Sequence, residues 1–166
     1  LTAMDVLERK RIIYSANSGM MDLRQAVADY LKRKNNLTYH PQDEIVITVG
    51  GSEAIDLAIR SVVNPGDEVL LVEPCFVCYR PIVELMHGVA VAIPTKEENH
   101  FKLTAQELRE HITEKTKMLI LPFPNNPTGG IMTREDLEQI ADVLRETNIV
   151  VLSDEIYSKQ IGRAHV

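Results

Sequence analysis

The sequence has few cysteine and few large aromatic residues. It contains two Cys, three Phe and no Trp among 166 residues. Two cysteines cannot form a disulfide framework, so a cytoplasmic location is expected. Cys75 and Cys78 form a lone CxxC, and the histidines are scattered without the spacing of zinc ligands. We therefore expect no metal site and interpret both cysteines as small apolar packing residues.

Basic runs and long apolar runs are also missing. The 18 Lys and Arg against 24 Asp and Glu give a net charge of −6. Nucleic acid and anionic membranes are therefore not expected as main partners. No apolar stretch reaches the roughly 20 residues that a membrane-spanning helix needs. What is present, 45% hydrophobic and 25% charged residues, is typical of a globular protein with a substantial core.

Helical and extended patterns alternate along the chain. Helices are predicted over residues 21–35, 52–63, from about Pro81 to Gly88, 104–116 and 134–148. Strands are predicted over residues 44–51, 68–74, 89–95, 117–124 and 149–157. Several of these strands are continuous Val, Ile and Leu runs, which are typical of strands buried on both faces of a parallel sheet. The predicted fold class is α/β, with a mostly parallel sheet covered by helices.

Cap residues are predicted at three helix starts. Ser52 is a candidate N-cap of the helix that follows "VGG". Thr104, with Glu107 three residues later, matches a capping box, and Thr133 is expected to cap the last predicted helix.

Both ends of the chain are expected to be artificial. The chain begins with Leu inside a helical pattern and stops soon after "VVLSDEIY". The last six residues, "IGRAHV", match the translation of a widely used sequencing-adapter DNA. Residues 161–166 are therefore expected to be a non-native tail, and residues 1–160 are expected to be most of one α/β domain.

The turn "VGGSEA" at residues 49–54 is a candidate anion site. Gly51 lets the backbone approach a ligand closely, and the N–H groups at the following helix start, with the Ser52 hydroxyl, suit a phosphate. The alternative is a tight turn with a serine cap. Because the spacing is neither G-x-G-x-x-G nor a P-loop, binding of a dinucleotide or nucleoside triphosphate is disfavoured.

Other candidate side chains follow the ends of predicted strands, where ligands of open α/β sheets bind. Phe76 could cover a flat ligand or pack in the core. Asn126 lies in "LPFPNNPTGG", which cannot form a helix or a central strand. Asp154 ends an apolar strand, where a carboxylate needs a cationic partner unless it caps a helix. Tyr157 follows three residues later, about one helical turn, so it could share the side of Asp154 if a helix starts there.

Together these positions offer a phosphate cradle, an aromatic face, an amide, a carboxylate and a phenol. A flat phosphorylated heterocycle with a protonatable ring nitrogen and a phenolic oxygen satisfies all five. Pyridoxal 5′-phosphate is such a molecule, and it is the cofactor that we expect.

The chain also resembles the class I/II aminotransferases, pyridoxal-phosphate enzymes of fold type I. The match rests on "YSANSGMMDLR", "TVGGSEAIDLAIRSVVNPGDEVLLVEPCFVCY", "PNNPTGG" and "VVLSDEIY", in the family's order and spacing. It covers residues 8–160. The resemblance implies a three-layer α/β/α fold, in which residues 1–160 are part of the family's large, cofactor-binding domain.

The resemblance also implies contacts for residues at matching positions. Gly51 and Ser52 would bind the cofactor phosphate, and Phe76 would stack on the pyridine ring. Asn126 would hydrogen-bond the 3′ oxygen, and a cis bond is implied before Pro127.

Three more roles follow from the resemblance. Asp154 would pair with the ring nitrogen of the cofactor. Tyr157 would share the 3′ oxygen of the cofactor with the Asn126 amide. Both are therefore expected catalytic residues. Tyr14 would reach the cofactor phosphate of the neighbouring subunit, which implies a homodimer.

The implied activity is transfer of an amino group between an amino acid and a 2-oxo acid in the parent protein. The family's Schiff-base lysine lies beyond the "DEIY" segment, and Lys159 is too close to the aspartate to take its place. The chain alone is therefore expected to be inactive. The alternatives are another fold-type I enzyme, such as a lyase, decarboxylase or acyltransferase, and a non-catalytic binding or regulatory domain.

Overall fold

The computed structural model describes Met4, Glu8 and residues 15–159. The chain divides into two compact units, residues 1–50 and 51–166. Tyr14 and the expected tail at 161–166 lie outside the described residues. The assignment of residues 1–160 to one partial domain stays a prediction.

The first unit contains helix α1 (Met21–Asn35), which matches the predicted range. Asp22 in its first turn and basic residues in its last turn complement the helix dipole. The helix buries Arg24, whose Nη1 donates a hydrogen bond to the Gln42 carbonyl at 3.0 Å. Asn36 ends the helix in the left-handed conformation, with φ at 55°.

The strand predicted over residues 44–51 does not form. Residues 44–50 have bends and irregular backbone, because a strand exists only where a neighbouring strand pairs with it. The Ile47 N–H donates instead to the Ser18 carbonyl, which belongs to a turn, at 3.0 Å. Gly19 permits this close approach, since a Cβ at Gly19 would lie 2.6 Å from the Ile47 Cβ.

The second unit alternates helices and strands. Its helices are α2 (Gly51–Val62), α3 (Tyr79–Leu85), α4 (Ala105–His111) and α5 (Arg134–Leu144), with a short 3-10 turn at Glu97–Asn99. Its strands are β1 (Glu68–Glu73), β2 (Val89–Pro94), β3 (Thr116–Leu121) and β4 (Val150–Ser153). Within the described ranges, every helix is too short or too polar to cross a membrane.

The sheet of the second unit is parallel, with strand order β2-β1-β3-β4. Leu71 at its centre pairs with Ala92 on one side and Ile120 on the other. The middle of β1 is buried on both faces, from Val69 to Val72. The continuous apolar runs therefore indicated buried parallel strands correctly.

Helices cover both faces of this sheet. Val69 and Leu71 pack in one apolar cluster with residues of α2 and α3, such as Ile59. Leu70 and Val72 point the other way, into a cluster with residues of α4 and α5. The predicted three-layer α/β/α arrangement is confirmed.

Two of the three predicted caps are present. Thr104 and Glu107 form a reciprocal capping box at the start of α4, and Thr133 forms one with Asp136 at the start of α5. Ser52 is not a cap, because α2 already begins at Gly51 and a cap must precede the first helical residue. Helix α3 begins at Tyr79, before the predicted start near Pro81, and ends at Leu85, before the predicted end at Gly88.

Candidate functional site

The candidate site lies at the carboxyl edge of the sheet. Strands β1, β3 and β4 are neighbours and parallel, so the residues that follow them meet at one edge. They line a pocket of about 480 Å³, a volume that includes the solvent at its mouth, together with the start of α2. This pocket brings together six of the predicted site residues: Gly51, Ser52, Phe76, Asn126, Asp154 and Tyr157.

One end of the pocket is the first turn of α2. The first N–H groups of a helix have no partner inside the helix, and the helix dipole makes this end partly positive. Gly51 and Ser52 are both exposed there, so this turn can receive an anion. The helix begins at Gly51, one residue before the predicted start at Ser52, so both residues belong to its first turn.

The loop between β3 and α5 is held by Asn125, which is 6% exposed. Its Nδ2 donates to the Pro74 carbonyl at 3.2 Å, beyond the end of β1. Its Oδ1 accepts hydrogen bonds from the Thr128 N–H at 3.2 Å and the Thr128 hydroxyl at 3.0 Å. Its backbone N–H donates to the Gly130 carbonyl, and its backbone carbonyl accepts a hydrogen bond from the Gly129 N–H. This network holds the neighbouring Asn126 in place.

Replacing Asn125 with Ala should destabilise this loop. The change removes three side-chain bonds and leaves buried polar groups unsatisfied, at a cost of about 2 kcal/mol in the free energy of unfolding. Chemical denaturation measures the loss, with exposed Asn148→Ala as the matched control. Equal stability of the two variants would contradict this role for Asn125.

Asn126 and Tyr157 form a pair in the pocket. The Nδ2 atom of Asn126 donates to the Tyr157 hydroxyl at 3.3 Å. The peptide bond between Asn126 and Pro127 is cis, as the resemblance implied. Both polar groups line the pocket and can share one ligand oxygen.

Asp154 directly follows β4, and its carboxylate lines the pocket. Its Oδ2 accepts a hydrogen bond from the Tyr79 hydroxyl at 2.7 Å, and its Oδ1 accepts one from the Ile156 N–H at 3.2 Å. The carboxylate therefore has two neutral donors around it and forms no salt bridge with the described residues. A cationic ligand atom fits this place.

Tyr79 and Asn125 were not identified as site residues from the sequence. The signal for Tyr79 was its place three residues after Phe76 in an apolar segment, since a buried tyrosine hydroxyl normally needs a partner. The ring of Phe76 meets the Tyr79 ring edge-on, with centroids 5.9 Å apart. Phe76 itself lines the pocket, so its ring is available to a ligand.

Cys75 and Cys78 pack against the apolar cluster on the α2 and α3 side of the sheet. Burial and the charge of Glu73 raise the pKa of the Cys75 thiol to about 11, against the opposing charge of Arg80. Burial also raises the pKa of Cys78, although a hydrogen bond with the Ser52 hydroxyl acts in the opposite direction. Both thiols therefore stay protonated at neutral pH, as expected of packing residues.

The chain is similar in sequence to known aminotransferases. The sequence profile described as "Aminotransferase class I and II" matches residues 3–163. Over 93% of its length, the chain is 42% identical to the aspartate aminotransferase of Pyrococcus abyssi and to the aromatic-amino-acid aminotransferase 2 of Thermococcus litoralis. It spans 40% of the length of each of these relatives.

Solved structures of aminotransferases are also similar to this chain. The aromatic aminotransferase from Pyrococcus horikoshii matches with a TM-score of 0.87 and 39% identity, over 93% of this chain and 41% of that one. The aspartate aminotransferase from Rhizobium meliloti matches with the same TM-score at 31% identity, over 94% of this chain and 39% of that one. The chain therefore belongs to the class I and II aminotransferase family.

Proposed function

We propose that this chain is the cofactor-binding part of an aminotransferase that uses pyridoxal 5′-phosphate to move an amino group between an amino acid and a 2-oxo acid. The supporting observation is that one pocket combines a helix N-terminus, an aromatic ring, an amide–phenol pair and a carboxylate. Because the chain spans 40% of its relatives, the proposal concerns the full-length protein, meaning a protein of their length that contains this chain.

The donor set of the pocket fits the cofactor group by group. The first turn of α2 suits the phosphate, because its N–H groups and dipole attract an anion. The Asn126 amide and the Tyr157 hydroxyl suit the ring oxygen. The Asp154 carboxylate suits a protonated ring nitrogen, since an adjacent negative charge favours the charged form of a base. Phe76 suits the flat, apolar face of the ring.

Bound pyridoxal phosphate supplies an electron sink for the negative charge that develops at the substrate's α-carbon. Asp154 holds a proton on the ring nitrogen by its negative charge. Asn126 and Tyr157 orient the ring through its oxygen, and the first turn of α2 holds the phosphate. Phe76 covers one face of the ring and excludes water from it.

Amino transfer by the full-length protein tests this proposal. With pyridoxal phosphate, an amino acid and a 2-oxo acid, we expect an imine absorbance band in the visible or near ultraviolet and formation of a new 2-oxo acid. A reaction without added cofactor, after dialysis against hydroxylamine, is the control. A protein that shows neither the band nor the product would contradict the proposal.

Tyr157→Phe isolates one contact of the proposed site. It removes the hydroxyl that accepts from Asn126, and we expect binding of pyridoxal phosphate to weaken about tenfold, the effect of one hydrogen bond. A fluorescence titration of the full-length protein measures the dissociation constant. Tyr39→Phe, at an exposed tyrosine, is the control, and equal constants for both variants would show that the Tyr157 hydroxyl does not bind the cofactor.

We also propose a cytoplasmic homodimer, in which Tyr14 would reach the cofactor phosphate of the neighbouring subunit. The cytoplasmic location is supported by composition, since the two cysteines are both unpaired. The homodimer is supported by the family match, which includes residue 14. Sedimentation of the full-length protein tests the dimer, and a monomer that binds the cofactor normally would contradict it.

A further inference from the structure

A buried tyrosine lies beneath the proposed cofactor site and contacts two of its residues. Tyr79, the first residue of α3, is 2% exposed. Its hydroxyl donates to Oδ2 of Asp154 at 2.7 Å, joining α3 to the end of β4. Its ring packs edge-on against the ring of Phe76. One side chain therefore touches both the carboxylate and the aromatic ring of the pocket.

The Tyr79 hydroxyl is a fixed donor. Burial, followed by the hydrogen bond and the charge of Asp154, raises the pKa of Tyr79 well above its usual range. The hydroxyl therefore keeps its proton and donates it to the carboxylate. The Ile156 N–H holds the other carboxylate oxygen. With a donor on each oxygen, rotation of the Asp154 carboxylate is restricted.

We propose that Tyr79 is a positioning residue for the amino-transfer reaction: it orients the Asp154 carboxylate toward the cofactor's ring nitrogen and supports Phe76 against the ring face. The inference rests on the proposed function. A hydrogen bond donated to a carboxylate favours its charged form. Asp154 and the ring nitrogen share one proton. By stabilising the charged carboxylate, Tyr79 keeps this proton on the nitrogen.

Tyr79→Phe in the full-length holoenzyme tests this role, because it keeps the ring that contacts Phe76 and removes the hydroxyl. We expect kcat to fall about tenfold with little change in KM. We also expect a smaller share of the bound cofactor to have a protonated ring nitrogen, because a carboxylate that has lost a hydrogen-bond donor is more basic and takes more of the shared proton. The absorbance spectrum of the bound cofactor, recorded against pH, reports the protonation of the ring nitrogen.

Thr147→Val is the control for the loss of a hydrogen-bonded hydroxyl elsewhere in the fold. The Thr147 hydroxyl donates to the Leu144 carbonyl at 2.8 Å, outside the pocket. A merely structural role for Tyr79 would give Tyr79→Phe a lower melting temperature without moving kcat or the titration of the ring nitrogen. That result would overturn the inference.

A second pair of variants tests the contact in the apoprotein. Asp154→Ala leaves the Tyr79 hydroxyl buried without its acceptor, so adding Tyr79→Phe to that variant is expected to raise the melting temperature. In the wild-type background the same change is expected to lower it. Equal losses in both backgrounds would overturn the inference.

The two proposals fail in different ways. A wild-type protein that takes up no pyridoxal phosphate overturns the proposed function and this inference together. A wild-type holoenzyme with a normal cofactor band, whose Tyr79→Phe variant has the same kcat and pH titration, overturns this inference alone.

Discussion

Replacing Asp154 with Ala in the full-length protein is expected to lower the rate of amino transfer about a thousandfold. The carboxylate lies at the end of an apolar strand and is half-buried in the pocket. Loss of one partner of such a desolvated charge pair costs about 4 kcal/mol, which corresponds to this factor in rate. Steady-state kinetics with saturating cofactor measures it, while expression should stay largely intact.

Two further variants separate charge from shape in this experiment. Asp154→Asn keeps the size of the side chain and removes its charge, so it should be nearly as slow as Asp154→Ala. Asp142→Ala removes an exposed carboxylate that pairs with Arg145 outside the pocket, and it should keep the wild-type rate. Wild-type turnover by Asp154→Asn would show that the charge is not the partner of the ring nitrogen.

Leu119→Ala is expected to give the largest loss of stability among the variants considered. Leu119 is fully buried in β3, a central strand, where it pairs with Leu70 and Val151. Truncation removes apolar contacts and leaves a cavity in a well-packed layer, at a cost of about 3 kcal/mol in the free energy of unfolding. The site should weaken with it, because β3 leads directly into the loop that carries Asn126.

The midpoint of urea unfolding of the full-length protein measures this effect. Leu57→Ala, on the exposed side of α2, is the matched control and should change stability by less than about 0.5 kcal/mol. A midpoint for Leu119→Ala equal to that of Leu57→Ala would mean that this part of the sheet does not support the fold as described.

Much of this architecture was predictable because its causes are local. The buried runs around Leu70 and Leu119 indicated parallel central strands, and Thr104 and Thr133 marked helix starts by capping chemistry. The gathering of site residues at one edge followed from strand direction. Parallel strands place their carboxyl ends together, so the sequence alone predicts Asn126 near the other strand ends.

Other features were not predictable because they depend on distant partners. Residues 44–50 carry a strand pattern, yet the pattern does not specify a neighbouring strand to pair with. The bond between Tyr79 and Asp154 joins positions 75 residues apart, which no local pattern encodes. The network around Asn125 likewise reaches across to Pro74 beyond another strand.

A crystal structure of the full-length protein with pyridoxal 5′-phosphate is the most direct test of the central claim. We predict that the cofactor lies in the described pocket, with its phosphate at the first turn of α2 and its ring nitrogen at the Asp154 carboxylate. Phe76 should lie against the ring face, and Asn126 should contact the ring oxygen. A cofactor bound elsewhere, or bound here with its phosphate next to Asp154, would contradict the account.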